Sequence, residues 1–198
     1  MGVISGPSHA EEIASERLTY LTCASEDTTF AEEIAKVIGC KFVKTVTSND
    51  IAGIEYGAVM KNIYALAAGI AKGMNYGDNF VAVLISNAIQ ETERFLDAAA
   101  PKQRNIEHLV YLGDLLVTAY SQHSRNRTFG QMTGQGYSVK SAQLEMKMIA
   151  EGFYSAQCIH KTNQQYGVTL PIAEAVYNIL YEKKSPKKEF SRLLDKFC

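Results

Sequence analysis

The sequence predicts a mainly α-helical protein with a small strand-helix-strand unit at its N-terminus. Three observations lead there. The run from Asp50 to Gly73 shows no alternation of period two and is too long for a buried strand, so it reads as a buried helix. The stretches that read as strands, Leu18–Cys23 and Lys41–Thr47, both lie before Ser48. From Gly113 to the end the chain offers helix caps and Gly or Pro stops, and no strand can be assigned.

Taken in order, Val3 to Pro7 reads as the end of a strand entering a turn. Ser8-His9-Ala10-Glu11 has the form of a capping box, with Ser8 as N-cap of a helix over 9–15. Leu18–Cys23 and Lys41–Thr47 are predicted strands, so the region holds two strands and a strand stub. Between them a helix runs from Thr29 to Ile38, with Phe30, Ile34, Val37 and Ile38 on one apolar side and Gly39 just past its end. Ser48-Asn49-Asp50 caps the long central helix. After a glycine-containing loop, Asn79–Ala99 is the next helix, ended by Pro101. Short helices follow over 106–111, 114–120, 127–133 and 139–147, the last capped by Ser138. Glu151–Tyr166 is longer, with Gly167 in the C′ place. Pro171 opens a helix to Tyr181, and 187–197 closes the chain.

The 198 residues are 46% apolar with a formal net charge of −1, ample for one core and compatible with one or two small domains. No block of one charge argues for nucleic acid. The basic segment 183–188 reads as a solvated turn. Cys23, Cys40, Cys158 and Cys198 form no metal spacing, so no metal is expected and the cysteines are read as reduced. The start lacks a basic region followed by an apolar one, so no signal peptide is read. The one long apolar run contains Lys61 and Asn62, which argues against a membrane span.

Lys61 is the residue that needs explaining. It is the lone charge between Tyr56 and Ala71, and a lysine in such a helix is costly unless it is paired or neutralised. Gly57 lies one turn earlier on the same side and is expected to leave room beside the ammonium. At this point two readings stand level: a lysine that snorkels to water, and a lysine held in a cleft.

Three further segments bear on that choice. Asp114, after Gly113, is either a plain helix cap or a carboxylate that orients Lys61. The loop Ser121 to Arg127 is dense in donors and precedes a helix. The planar forks of its arginines, with Ser124 and Asn126, favour an anion site over an ordinary polar loop. Glu151-Gly152 opens a helix, where a glutamate usually only compensates the dipole. There is no P-loop and no GxGxxG after a strand, and Gly130 to Gly136 has the wrong spacing for one.

Together, Ile4-Ser5-Gly6-Pro7-Ser8-His9-Ala10-Glu11, Gly57 to Asn62, Gly113-Asp114-Leu115, Ser124 to Gly130 and Glu151-Gly152 come in the order found in bacterial-type NAD(P)-dependent glycerol-3-phosphate dehydrogenase. The resemblance covers nearly the whole chain. It matches the C-terminal part of that family, and the glycine fingerprint of the family's Rossmann domain is not among these residues.

The resemblance implies a helical domain of the 6-phosphogluconate dehydrogenase C-terminal type over 50–198. Residues 1–49 would be an edge segment of the dinucleotide-binding domain. It implies interconversion of glycerol 3-phosphate and dihydroxyacetone phosphate with NAD or NADP, feeding glycerophospholipid synthesis in the cytoplasm. This chain alone would be inactive. A homodimer is expected; nucleic-acid and membrane partners are not. Carried over by motif, Lys61 resembles the general acid/base and Asp114 its positioning carboxylate. Substrate would be held by Gly6, Ser8, Asn62, Thr118, Ser124, Arg125 and Asn126, with Ala10, Arg125 and Glu151 toward the dinucleotide.

Two positions depart from the family pattern: Ser86-Asn87 stands where members often carry Thr-Arg, and Tyr111 where many have glycine. The rival readings are another lysine-dependent hydroxyacid dehydrogenase of the same superfamily and a non-enzymatic helical dimerisation module.

Overall fold

The computed structural model describes residues 1–197 apart from Lys147 and Ile149. Three strands, β1 (Gly2–Ser5), β2 (Thr19–Ser25) and β3 (Val43–Ser48), form one sheet in the order β1-β2-β3. β1 runs antiparallel to β2, with Ile4 opposite Cys23. β3 lies parallel to β2, with Cys23 opposite Thr47. The parallel pair is joined by helix α2 (Thr28–Ile38), capped by Asp27, whose carboxylate accepts from Thr29 N and Phe30 N. The expected strand stub is thus a full sheet member.

Two expectations for this unit are corrected. Helix α1 (Ala10–Ala14) is capped at His9, not Ser8. The Ser8 hydroxyl instead donates to the carbonyl of Gly6 at 3.1 Å, closing a local turn. On α2 the buried residues are Ala31 and Ala35, while Val37 is 86% exposed and Phe30 is also exposed. Ala31 and Ala35 face the sheet fully, while Phe30 and Ile34 reach the strand edge at Gly2 and stay partly open.

Helix α3 (Ile51–Gly73) is the axis of the rest. Asp50 caps it, accepting from Gly53 N at 3.1 Å. From Ile63 through Ala71 every position is buried, because α3 packs against α4 (Asp78–Ala99), α5 (Asp114–Tyr120), α6 (Arg125–Gly134), α8 (Gly152–Tyr166) and α9 (Pro171–Leu180). The short helices α7 (Val139–Glu145) and α10 (Pro186–Leu194) close the outside. The expected end of α7 at Lys147 lies outside the described residues.

The closest crossing is α3 on α6, and glycines make it. A Cβ on Gly69 would stand 2.1 Å from Arg127 O, and one on Gly73 2.2 Å from Gln131 O. Across the seam, a Cβ on Gly130 would meet Leu66 O at 2.1 Å and one on Gly134 would meet Ile70 O at 2.3 Å. Each pair is spaced by four, so all four lie on facing ridges and the two main chains touch. The glycines that fail as a nucleotide motif are therefore half of a helix-helix contact.

α9 is held at its start by Glu91 of α4. This buried carboxylate accepts from Ile172 N at 2.6 Å, Ala173 N at 3.3 Å and the Tyr64 hydroxyl at 3.3 Å. Burial pushes its pKa up to about 7, against the pull of those backbone hydrogen bonds. A smaller apolar cluster of Ala24, Ile54, Leu96, Val110 and Tyr111 fastens the sheet to the first half of α3. It brings the end of β1 to the head of α5.

Candidate active site

The residue before α5 sets the geometry. One π-helical turn, Leu109–Gly113, leads directly into α5, where a short α-helix over 106–111 was expected. The wider coil presents Tyr111 to α3 and Asp114 to Lys61. The Tyr111 ring lies over Gly57, where a Cβ would come within 3.1 Å of its Cδ1. Gly57 thus makes room for Tyr111 and not for a ligand, correcting the expectation from the sequence.

The Tyr111 hydroxyl donates to Asp50 at 2.6 Å, and Arg104 Nε reaches the same carboxylate at 2.9 Å. Burial works against the charged form of Asp50, but the bonds from Arg104 and Tyr111 outweigh it and hold its carboxyl below the usual range.

One turn after Gly57, Lys61 Nζ donates to Asp114 Oδ2 at 2.6 Å. The Asp114 side chain is 2% exposed and that of Lys61 is 21% exposed. The ammonium neither snorkels freely nor is sealed: it is paired on one side and open to a cleft on the other. Ser5, at the end of β1, lies with its hydroxyl 3.4 Å from Asp114 Oδ2. Thr118, one turn along α5, donates to the Asp114 carbonyl at 2.6 Å.

The cleft is a cavity of about 390 Å³, within the range of about 300–1,000 Å³ usual for small-molecule sites. Of the residues singled out in the sequence, Lys61, Asn62, Asp114 and Thr118 line it from α3 and α5. Ser124, Arg125, Asn126 and Glu151 line it from the opposite rim, and Ser8 from the N-terminal unit. Gly6 and Ala10 do not. Gly6 is buried at φ +145°, where a Cβ would fall 2.7 Å from Tyr20 O, and Ala10 is exposed at the start of α1.

Within the donor loop the side chains divide. The Ser124 hydroxyl caps α6, accepting from Arg127 N at 3.3 Å, so α6 begins two residues earlier than expected. Asn126 is also spoken for: its Nδ2 donates to Asn62 Oδ1 at 2.8 Å and its Oδ1 accepts from Gly152 N at 2.8 Å. A Cβ on Gly152 would come within 2.6 Å of Asn62 O, which explains the glycine after Glu151. Arg125 is exposed, with Nη1 3.9 Å from Met148 Sδ. It is the side chain of the three with its fork directed at no carboxylate among the described residues.

Three residues that the sequence did not single out also stand at the site: Ser5, His9 and His123. His9 and His123 line the cavity with ring centroids 6.0 Å apart. Their signal was available only as the letters H in Ser8-His9-Ala10 and Gln122-His123-Ser124, read there as parts of a cap and a polar loop.

Arg125 and Glu151 also border a second cavity of about 760 Å³, walled by Phe129, Met146, Phe153 and Tyr154. A cation, an exposed carboxylate and apolar walls stand side by side there.

Comparison with known proteins bears on this arrangement. The family model described as "NAD-dependent glycerol-3-phosphate dehydrogenase C-terminus" matches residues 50–191, and the corresponding N-terminus model matches residues 1–31. The chain belongs to the NAD-dependent glycerol-3-phosphate dehydrogenase family.

Glycerol-3-phosphate dehydrogenase [NAD(P)+] of Clostridium botulinum (strain Eklund 17B / Type B) is 38% identical over 192 residues, 97% of this chain and 58% of the relative. That of Exiguobacterium sp. is 38% identical over 194 residues, 98% of this chain and 57% of the relative. The crystal structure of glycerol-3-phosphate dehydrogenase from Coxiella burnetii superposes with a TM-score of 0.95 at 33% identity, over 98% of this chain and 60% of that one. The chain therefore has the family's helical C-terminal fold and spans about 58% of the length of such relatives. Among the described residues no helix is long and apolar enough to cross a membrane, and no cluster of His, Cys, Asp and Glu could hold a metal ion.

Proposed function

We propose that this chain is the substrate-binding and catalytic domain of an sn-glycerol-3-phosphate dehydrogenase, with Lys61 as the general acid/base. The observation that carries the reading is the Lys61–Asp114 pair opening onto a small cavity rimmed by Arg125.

The chemistry follows from the pair. In ketone reduction a proton must reach the carbon-2 oxygen of dihydroxyacetone phosphate. An ammonium within reach delivers it, and in the reverse direction the amine takes it from the hydroxyl. Asp114 accepts one Nζ–H and so fixes where the others point. Asn62, locked by Asn126, offers its amide beside Lys61 to a substrate hydroxyl. Arg125 and the N-terminus of α6 face the phosphate. NAD or NADP, when bound, would supply or take the hydride at carbon 2. On this side of the cleft it would be held by Arg125 and Glu151, with Ala10 near it.

The domain alone is expected to be inactive, since its residues offer no glycine fingerprint for the dinucleotide. The reading places the protein in the cytoplasm as a homodimer in glycerophospholipid synthesis.

Titration calorimetry tests it. Glycerol 3-phosphate should bind the purified chain, and 3-hydroxy acids should bind much more weakly. Preference for the hydroxy acid would favour the neighbouring hydroxyacid dehydrogenases, for which a lone carboxylate replaces the phosphate.

A further inference from the structure

The phosphate cradle expected from Ser124, Arg125 and Asn126 is thinner than the letters suggest. Ser124 Oγ accepts from Arg127 N and keeps one O–H, while Asn126 gives one N–H to Asn62, takes one from Gly152 and keeps one N–H. A phosphomonoester carries three outer oxygens, each able to accept more than one hydrogen bond, and close to two charges, so it can use donors beyond these.

Another residue lining the same cavity has the opposite problem. His9 Nε2 is wholly buried and has no hydrogen-bond partner among the described residues. Such an orphan is costly, and a native structure that keeps one usually has a ligand or water to meet it. The His123 ring packs beside it at 6.0 Å, tilted by 57°. His123 is exposed, on the loop immediately before Ser124 and Arg125. A side-chain rotation of this kind is fast and cheap.

We propose that His9, with His123 as its movable cover, supplies a further donor to the substrate phosphate. Recognition of a small phosphomonoester is then divided between the N-terminal unit and the helical domain. This rests on the phosphate reading of the Arg125 rim.

The test is a titration of the purified chain with sn-glycerol 3-phosphate, inorganic phosphate and glycerol, followed by imidazole nitrogen NMR. The two phosphates should shift the His9 Nε2 and His123 resonances, and glycerol should leave them alone. His9→Phe, which keeps a ring of similar size, should weaken glycerol 3-phosphate about tenfold, the loss of one charge-assisted hydrogen bond. If glycerol 3-phosphate binds but both histidines stay silent and His9→Phe binds as tightly, the inference is overturned while the site reading survives. If glycerol 3-phosphate does not bind at all, the phosphate reading of the Arg125 rim falls, and this inference with it. Should His9→Phe not fold, the resonance shifts of the unaltered chain decide alone.

Discussion

Asn126 Nδ2 donates to Asn62 Oδ1 across 2.8 Å, and the same Asn126 side chain accepts from Gly152 N through Oδ1 at 2.8 Å. One amide therefore ties α3, α6 and α8 together at the edge of the cleft. Asn126→Ala should cost about 1–3 kcal/mol, because a buried backbone N–H and the Asn62 amide both lose their partner. Urea denaturation should show a lower midpoint at an unchanged slope. A midpoint equal to that of the unaltered protein would mean that Asn126 is not structural.

Lys61 can be separated from its charge. In a polypeptide that joins this domain to a dinucleotide-binding half, Lys61→Met should lower kcat about 10²–10⁴-fold, the range for a lost general acid/base. Lys61→Arg keeps the cation beside Asp114 but cannot give up its proton near neutral pH. It should therefore be nearly as inactive as Lys61→Met while melting within a few degrees of the unaltered protein. Steady-state kinetics and a thermal melt on the same samples check both halves of this expectation.

The α3–α6 seam predicts an asymmetry among glycines. Gly130→Ala puts a methyl 2.1 Å from Leu66 O, a backbone atom in the buried stretch of α3 that cannot step aside. The loss should be about 3 kcal/mol or more. Gly77→Ala, where nothing lies within 4 Å, should stay within about 0.5 kcal/mol. Comparable losses for the two would show that the seam is not tight.

Glu91 makes stability depend on pH. Its carboxyl is raised by burial from 4.5 to about 7, so between those values the folded protein holds a proton that the unfolded chain has released. Stability must then fall as pH rises from about 4.5 to about 7 and level off above. Glu91→Gln keeps an acceptor for Ile172 N and does not titrate. Its denaturation midpoint should decline less across that window than that of the unaltered protein. Parallel curves would remove Glu91 as the source.

Much of this was legible in the sequence, for physical reasons that differ by residue. A lysine in an apolar helix announces a partner, and Asp114 was findable because a carboxylate after glycine is a small set to search. Caps such as Asp50 and Ser138 are local and read directly. What stayed hidden was tertiary. Gly57 reads as open space until Tyr111 is placed over it, and the π-helical turn that does so leaves no periodic mark. Val37 looks like a core residue because its helix is amphipathic, yet the face turned to the sheet is centred on Ala31 and Ala35 and leaves Val37 outside. Ser124 and Asn126 have the right chemistry for an anion, and only coordinates reveal that part of it serves the cap of α6 and the ties to Asn62 and Gly152. His9 was masked by a capping motif that fits Ser8 by letter.

Where the main chains of α3 and α6 touch, no side chain remains to be exchanged. The interval between the lysine and the arginine rim is therefore a property of two backbones. Tuning the cleft for a longer or shorter ligand would have to come from the N-terminal unit, where Ser8 and His9 line the cavity on a turn that can be redrawn. The protein holds one jaw as a fixed gauge and leaves the other adjustable.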